Sequence, residues 1–185
     1  MIFRSRYTYF SKIRSVIRYF FVRLLFYKRL ILSGVGLIGH AVYIRIAKNG
    51  RISIGKRPII SDYVELQALG EIVIGDNLSI NRFSRICAHQ KISIGNNVTI
   101  AQFVTILDHD HHYNFKNNKL DLDGYDSSPI NIGNNVWIGD KVTILKGVTI
   151  GNNVIIGANS VVNKAVMDNC IVAGVPAKLI KTFNG

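Results

Sequence analysis

From about residue 50 onward, aliphatic residues return every six positions, leading hexads at Ile74, Ile80 and Ile86, at Ile94, Ile100 and Ile106, and from Ile132 through Ile138, Ile144, Ile150 and Ile156 to Val162. A second branched or small residue follows four places later, as at Val98, Val104, Val136 and Ser160. This spacing matches neither a helix face, at about 3.6 residues per turn, nor the strict alternation of a long strand. It predicts short strands joined by regular corners. Three hexads make one triangular coil, with the leaders pointing inward and stacking on the coils above and below. The Gly after each leader, as in Ile94-Gly95-Asn96-Asn97, suits a corner where a side chain would crowd or φ must be positive, and Asn also tolerates the left-handed region. A longer repeat aligns Ile52, Ile72, Ile92 and Ile130, in steps of 20, 20 and 38 residues. The last step holds one coil and a segment outside the repeat, about 108–128, read as an irregular extruded loop, and long loops on a regular scaffold usually carry function.

Before the repeat, Ile13, Val16, Ile17, Phe20, Phe21 and Leu24 follow helical i, i+3, i+4 spacing, with Arg14, Arg18 and Arg23 able to take other faces. The chain therefore divides into a basic amphipathic cap, 1–45, and a β-domain, 46–182. Charge sharpens that division. Of 23 Lys and Arg against 11 Asp and Glu, thirteen bases and no acids lie in residues 1–60. The remainder is near neutral, so the positive charge acts locally. A basic amphipathic helix can lie on anionic lipid, or pack on its own domain or a neighbouring subunit with its arginines solvated. No run of 18 apolar residues exists to span a bilayer, and Arg23 and Lys28-Arg29 interrupt the candidate core of a cleaved signal peptide. Cys87 and Cys170 lack metal or redox spacing and read as reduced thiols of a cytoplasmic protein. No motif for nucleic acid is present.

Candidate chemistry gathers where the chain leaves the coil, in Leu107-Asp108-His109-Asp110-His111-His112-Tyr113. A histidine at such a boundary is fixed on one side by β-structure and overhung by the loop, which suits a general base working near neutral pH. His109 is the choice. Asp108, Asp121, Asp123 or a backbone carbonyl could orient its other nitrogen. Trp137 sits at an outward hexad position, where an indole needs a neighbouring subunit or a ligand to cover it. After the last coil, Ala173-Gly174-Val175-Pro176-Ala177-Lys178 forces the chain away from its final strand.

The Ile-Gly-x-x-Val-x hexads resemble those of the hexapeptide-repeat acyltransferases over about residues 50–182, and the His109 segment resembles that of the galactoside and maltose sugar O-acetyltransferases. The resemblance implies an all-β fold, a left-handed parallel β-helix with an N-terminal basic helical cap and an extruded loop. It implies acetyl-CoA as co-substrate, no metal, and direct transfer to a hydroxyl of a sugar or glycan, as in cell-surface polysaccharide biosynthesis. It places His109 as the base and Asn81 near the acceptor, where His89, Asp108 and His111 are further candidates from their position around the loop. It places Trp137, Gly139, Ala158, Lys164, Gly174, Pro176, Lys178 and Lys181 along the cofactor, and it implies a homotrimer with sites between subunits. Ala88-His89-Gln90 departs from the acidic residues of the sugar enzymes and leaves the acceptor open. N-acetylation of an amino sugar or nucleotide-linked amino sugar is the main alternative. A zinc enzyme of the γ-carbonic anhydrase kind is disfavoured by the close spacing of His109, His111 and His112, and a membrane-associated scaffold without catalysis is the remaining rival.

Overall fold

The computed structural model describes residues 9–183; residues 1–8, with Arg4 and Arg6 of the cationic segment, and residues 184–185 lie outside the described part. Its three walls are sheets of short, stacked parallel strands, six in the first, seven in the second with one antiparallel strand added at its end, and six in the third. In the first wall Ile54, Ile74, Ile94 and Ile132 align, and in the third Ile86, Ile106, Ile144 and Val162 align. These leaders are buried and form one continuous core down the axis of the prism. Burying so many aliphatic side chains, each worth about 1.5–3 kcal/mol, is what holds strands of only two to four residues together. Ser84 and Ser160, at otherwise apolar places, are fully buried, and each settles its hydroxyl on a backbone carbonyl, of Ala101 at 2.7 Å and of Gly157 at 2.6 Å.

The corners differ in how they satisfy their polar groups. At the first, between walls one and two, Asn77, Asn97, Asn135 and Asn153 all sit at positive φ and pass hydrogen bonds from rung to rung, each amide donating to the next at 2.7–3.0 Å. The glycines before them serve close stacking: a Cβ on Gly95 would lie 2.6 Å from the Gly133 carbonyl oxygen. At the second corner Tyr63, Phe83 and Phe103 stack face to face at 5.1 Å, again at positive φ. The third corner, between walls three and one, holds four of the five histidines, His40 alone lying at the second.

Coil pairing begins ahead of residue 46. Leu30–Leu32, Leu37–Ile38 and Tyr43–Ile46 already pair in register with the coil above, at a step of 22 residues that the hexad spacing does not reveal. Below this first coil lies the helix Tyr9–Leu25. The end of a solenoid exposes carbonyls with no further coil to pair them. The helix supplies donors: Ser15 Oγ and Arg18 Nε donate to the Ile38 carbonyl at 2.8 and 3.0 Å, and Tyr19 Oη donates to that of Gly34 at 2.5 Å. At the other end the chain turns at Gly174, φ 105°, and Lys178–Thr182 runs back antiparallel along Cys170–Ala173, covering the edge of the second wall.

The segment read as an irregular loop is in fact a two-stranded antiparallel hairpin, His109–Lys116 with Lys119–Ser127. Asn117 and Asn118, both at positive φ, form the two-residue turn that matches the twist of such a ribbon.

Candidate active site

Where the hairpin leaves the third wall, the coil is interrupted and the backbone N–H groups of the coil beneath lose the carbonyls that stacking would have offered. One coil earlier, Leu69 and Glu71 donate to the carbonyls of Ala88 and Gln90. At the interruption the Asp108 side chain takes over. Its carboxylate accepts from the N–H groups of His89 at 2.7 Å, Gln90 at 2.8 Å and Lys91 at 2.7 Å, and it is fully buried. Three such donors stabilise a carboxylate in place of water. The same carboxylate lies 3.2 Å from His109 Nδ1. Of the orienting groups that the sequence leaves open, Asp108 is the one in contact, and His109 is held with Nε2 on its far side.

His109 faces a cavity of about 540 Å³ that extends across the outer face of the third wall. His89 lies flat against it, ring centres 3.4 Å apart, and Tyr125 from the hairpin stands edge-on over both, at 4.5 Å from His89 and 5.6 Å from His109. His111 lines the same cavity against Tyr125. His112 turns away and pairs with Asp126 across the hairpin at 3.1 Å. The Asp110–Lys146 ion pair, 3.3 Å, ties the root of the hairpin to the coil above. Burial first, then the neighbouring His109, hold His89 below the ordinary imidazole value against the pull of Asp108. Burial pushes the Cys87 thiol up, although Arg85 opposes it. Cys87, His89 and His109 each bring one potential metal ligand atom within 4.8 Å of the others. A shared cation must lie in the plane of each imidazole, which two rings stacked at 6° do not allow without turning one of them.

Sequence reasoning missed other residues that wall the cavity, among them Tyr125, Arg45, Gln67 and Arg85. Tyr125 carried no signal, because the hairpin register was not visible. Arg45, Gln67 and Arg85 did carry one: Arg45, Gln67, Cys87 and Leu107 occupy one outward column in register, with Arg85 two residues before Cys87. Arg85 Nε lies 3.4 Å from Glu65 Oε2 yet makes no hydrogen bond, leaving a buried donor beside the cavity.

The residues expected along the cofactor lie elsewhere. None of the eight lines the His109 cavity. Trp137 stands outward and half exposed on the second wall, paired with Thr99 and Ile155. Gly139 and Ala158 are neighbours at the second corner, where a Cβ on Gly139 would meet the Ala158 nitrogen at 2.7 Å, so stacking alone requires that glycine. Lys164, Lys178 and Lys181 are exposed at the C-terminal end, with Gly174 and Pro176 in the turn between the last two strands. Asn81 is also at the second corner, its side-chain amide donating to the Ile100 carbonyl at 3.1 Å.

Residues 129–164 match the family model described as bacterial transferase hexapeptide (six repeats). The chain carries the transferase hexapeptide repeat. The fold of this hexapeptide-repeat chain is the left-handed parallel β-helix, an exception to the usual hand of parallel crossovers. It is 48% identical over 58 residues to a galactoside O-acetyltransferase of Escherichia coli (strain K12), covering 31% of this chain and 29% of the relative. The hexapeptide-repeat chain thus spans about a third of the length of the curated relatives it matches. Among solved structures, a galactoside acetyltransferase in complex with coenzyme A aligns at TM-score 0.60 and 29% identity, over 96% of this chain and 74% of that one. AntD, an N-acyltransferase from Bacillus cereus solved with dTDP and coenzyme A, aligns at TM-score 0.73 and 23% identity over 88% and 89% of the two chains, a likeness of fold.

Proposed function

We propose that the chain transfers an acetyl group from acetyl-CoA to a hydroxyl of a sugar or glycan, with His109 as general base. The observation that carries this reading is the imidazole fixed by a buried carboxylate at the head of an open cavity. With Nδ1 on Asp108, Nε2 is free to take the acceptor hydroxyl proton. The oxygen attacks the thioester carbonyl, a C–O bond forms as the C–S bond breaks, and the imidazolium returns its proton to the departing CoA sulfur. Asp108 stabilises the imidazolium while it exists. His89 and Tyr125 pack the base from two sides and restrict its rotation, and His111 with Arg85 face the acceptor. Cys87 takes no part, since a thiol held protonated by burial is a poor nucleophile.

Similarity to a galactoside O-acetyltransferase, and to a galactoside acetyltransferase bound to coenzyme A, supports both substrates. Acetyl-CoA lies along the exposed Trp137 and the C-terminal residues Gly174 to Lys181, whose lysines meet its phosphates. Trp137 on the second wall and His109 at the third corner stand apart, which supports a homotrimer in which the cofactor of one subunit meets the base of another. The exposed apolar row Tyr113, Phe115, Leu120 and Leu122 along the hairpin supports such a contact. The use of acetyl-CoA supports a cytoplasmic location.

The test is release of free CoA thiol from acetyl-CoA across sugars, nucleotide sugars and glycans, followed by treating the product with hydroxylamine. Turnover giving a hydroxylamine-labile ester is expected. A stable amide would overturn the hydroxyl acceptor, and failure of acetyl-CoA either to turn over or to raise the unfolding temperature would overturn the enzyme.

A further inference from the structure

The helix Tyr9–Leu25 is packed the wrong way round for an ordinary end cap. Its buried side is narrow and partly polar, with Ser15 and Tyr19 buried and Val22 half-buried, and it meets the first coil by hydrogen bonds as well as by packing. Its broad apolar side faces outward. Phe10, Ile13, Ile17, Phe20, Phe21, Leu24 and Leu25 are each 42–76% exposed, and at about 3.6 residues per turn they form one continuous stripe along the helix. A soluble chain normally keeps such a patch covered. Lys12 and Arg23 run along one border of the stripe, and Arg14 and Arg18 along the other. No acidic residue precedes Asp62, so these cations have no carboxylate partner in their own part of the chain.

We infer that this face seats the protein on an anionic lipid surface, the helix lying in the interfacial plane with its stripe among the acyl chains and its cations among the headgroups. The chemistry fits one occupant. A protein partner or a second copy of this chain would have to cover the cations with acids, and the equivalent face of a second copy offers only more cations. An anionic leaflet provides negative charge at both borders and apolar depth between them. No described helix is long and apolar enough to cross a membrane, which leaves the in-plane position. Beside the stripe, a groove of about 470 Å³ walled by Phe21, Leu25, Phe26 and Val42 runs between the helix and the strand Tyr43–Ile46, and can admit an acyl chain. Arg45 on that strand lines the His109 cavity, so the wall that bears the candidate site ends at the proposed lipid surface. The inference does not depend on acetyl transfer.

Flotation of the full chain with vesicles tests it, comparing phosphatidylcholine alone with phosphatidylcholine containing 30 mol% phosphatidylglycerol (about 30%, a common anionic fraction). Binding to the anionic vesicles, weakened by salt, is expected. Replacing Lys12, Arg14 and Arg23 together by Gln should weaken it about 100-fold, at roughly fivefold per charge. Ile17→Ser with Phe20→Ser and Leu24→Ser should abolish it while leaving the unfolding temperature unchanged, since all three side chains are exposed. Equal binding by these variants, or no binding by the parent chain, overturns the inference. So does a fall in particle mass for the Ser variant without vesicles, which would make a second copy the occupant. A loss of acetyl transfer to a soluble acceptor would instead bear on the enzymatic reading.

Discussion

The first and third corners of the prism face the same problem and solve it differently. Both turn the chain sharply between stacked strands and leave polar groups to be paired. At the first corner repetition suffices, since each Asn at positive φ hands its amide to the Asn of the next coil. At the third corner the stack is cut by the hairpin, and one side chain, Asp108, replaces the missing backbone carbonyls for three N–H groups. That carboxylate also reaches His109. A break in a regular array thus produces both the need for a buried charge and the fixed imidazole beside it. The first corner is scaffold; the third couples scaffold to chemistry.

Substitutions can separate the two. The largest effect is expected for His109→Ala, which should lower acetyl transfer by about 10²–10⁴ and leave the unfolding temperature within the scatter of replicates. Asp108→Asn should affect both properties, because an amide cannot accept from three N–H groups and from Nδ1: initial rates should fall at least about tenfold, and urea unfolding should show a loss of about 2–4 kcal/mol. At the first corner, Asn135→Ala removes a rung and puts an alanine in the left-handed region. It should cost about 1–2 kcal/mol, with initial rates unchanged, and Asn135→Gly should cost less because glycine accepts that φ.

The smallest effect concerns acid. The folded state holds His89 below its ordinary value of 6.5. Between that value and the lowered one, the unfolded chain binds a proton that the folded chain does not, so stability is complete above the ordinary value and falls as pH drops through this window. Denaturant midpoints at neutral and acid pH should diverge less for His89→Gln than for the parent. The first corner carries no histidine, and its variants should keep the parental acid dependence.

Much of the scaffold was legible because stacking forces every coil to repeat the same inward positions, as at Ile86, Ile106 and Ile144. The first coil was not, since it steps by 22 residues and only one Ile-Gly corner, Ile38-Gly39, marks Leu30 to Ile46. The hairpin was hidden for a different reason. Tyr113, Phe115, Leu120 and Leu122 alternate as strands should, but the segment fits no hexad and is too short for its alternation to stand out beside the repeat. His109 could be picked from its place at the coil boundary. Its orienting group could not, because neighbours in an extended strand point to opposite faces, and only the bend at Asp108 brings the two side chains to one corner. The separation of Trp137 from His109 depends on which wall each strand joins, which spacing within the repeat does not give.

Long-range nitrogen–proton correlation spectra of the imidazoles at neutral pH test the central claim most directly. With Asp108 accepting from it, His109 should carry its proton on Nδ1, with Nε2 open toward the cavity, and Asp108→Asn should disturb that state. A His109 resonance protonated at Nε2, or one indifferent to Asp108→Asn, would contradict the account.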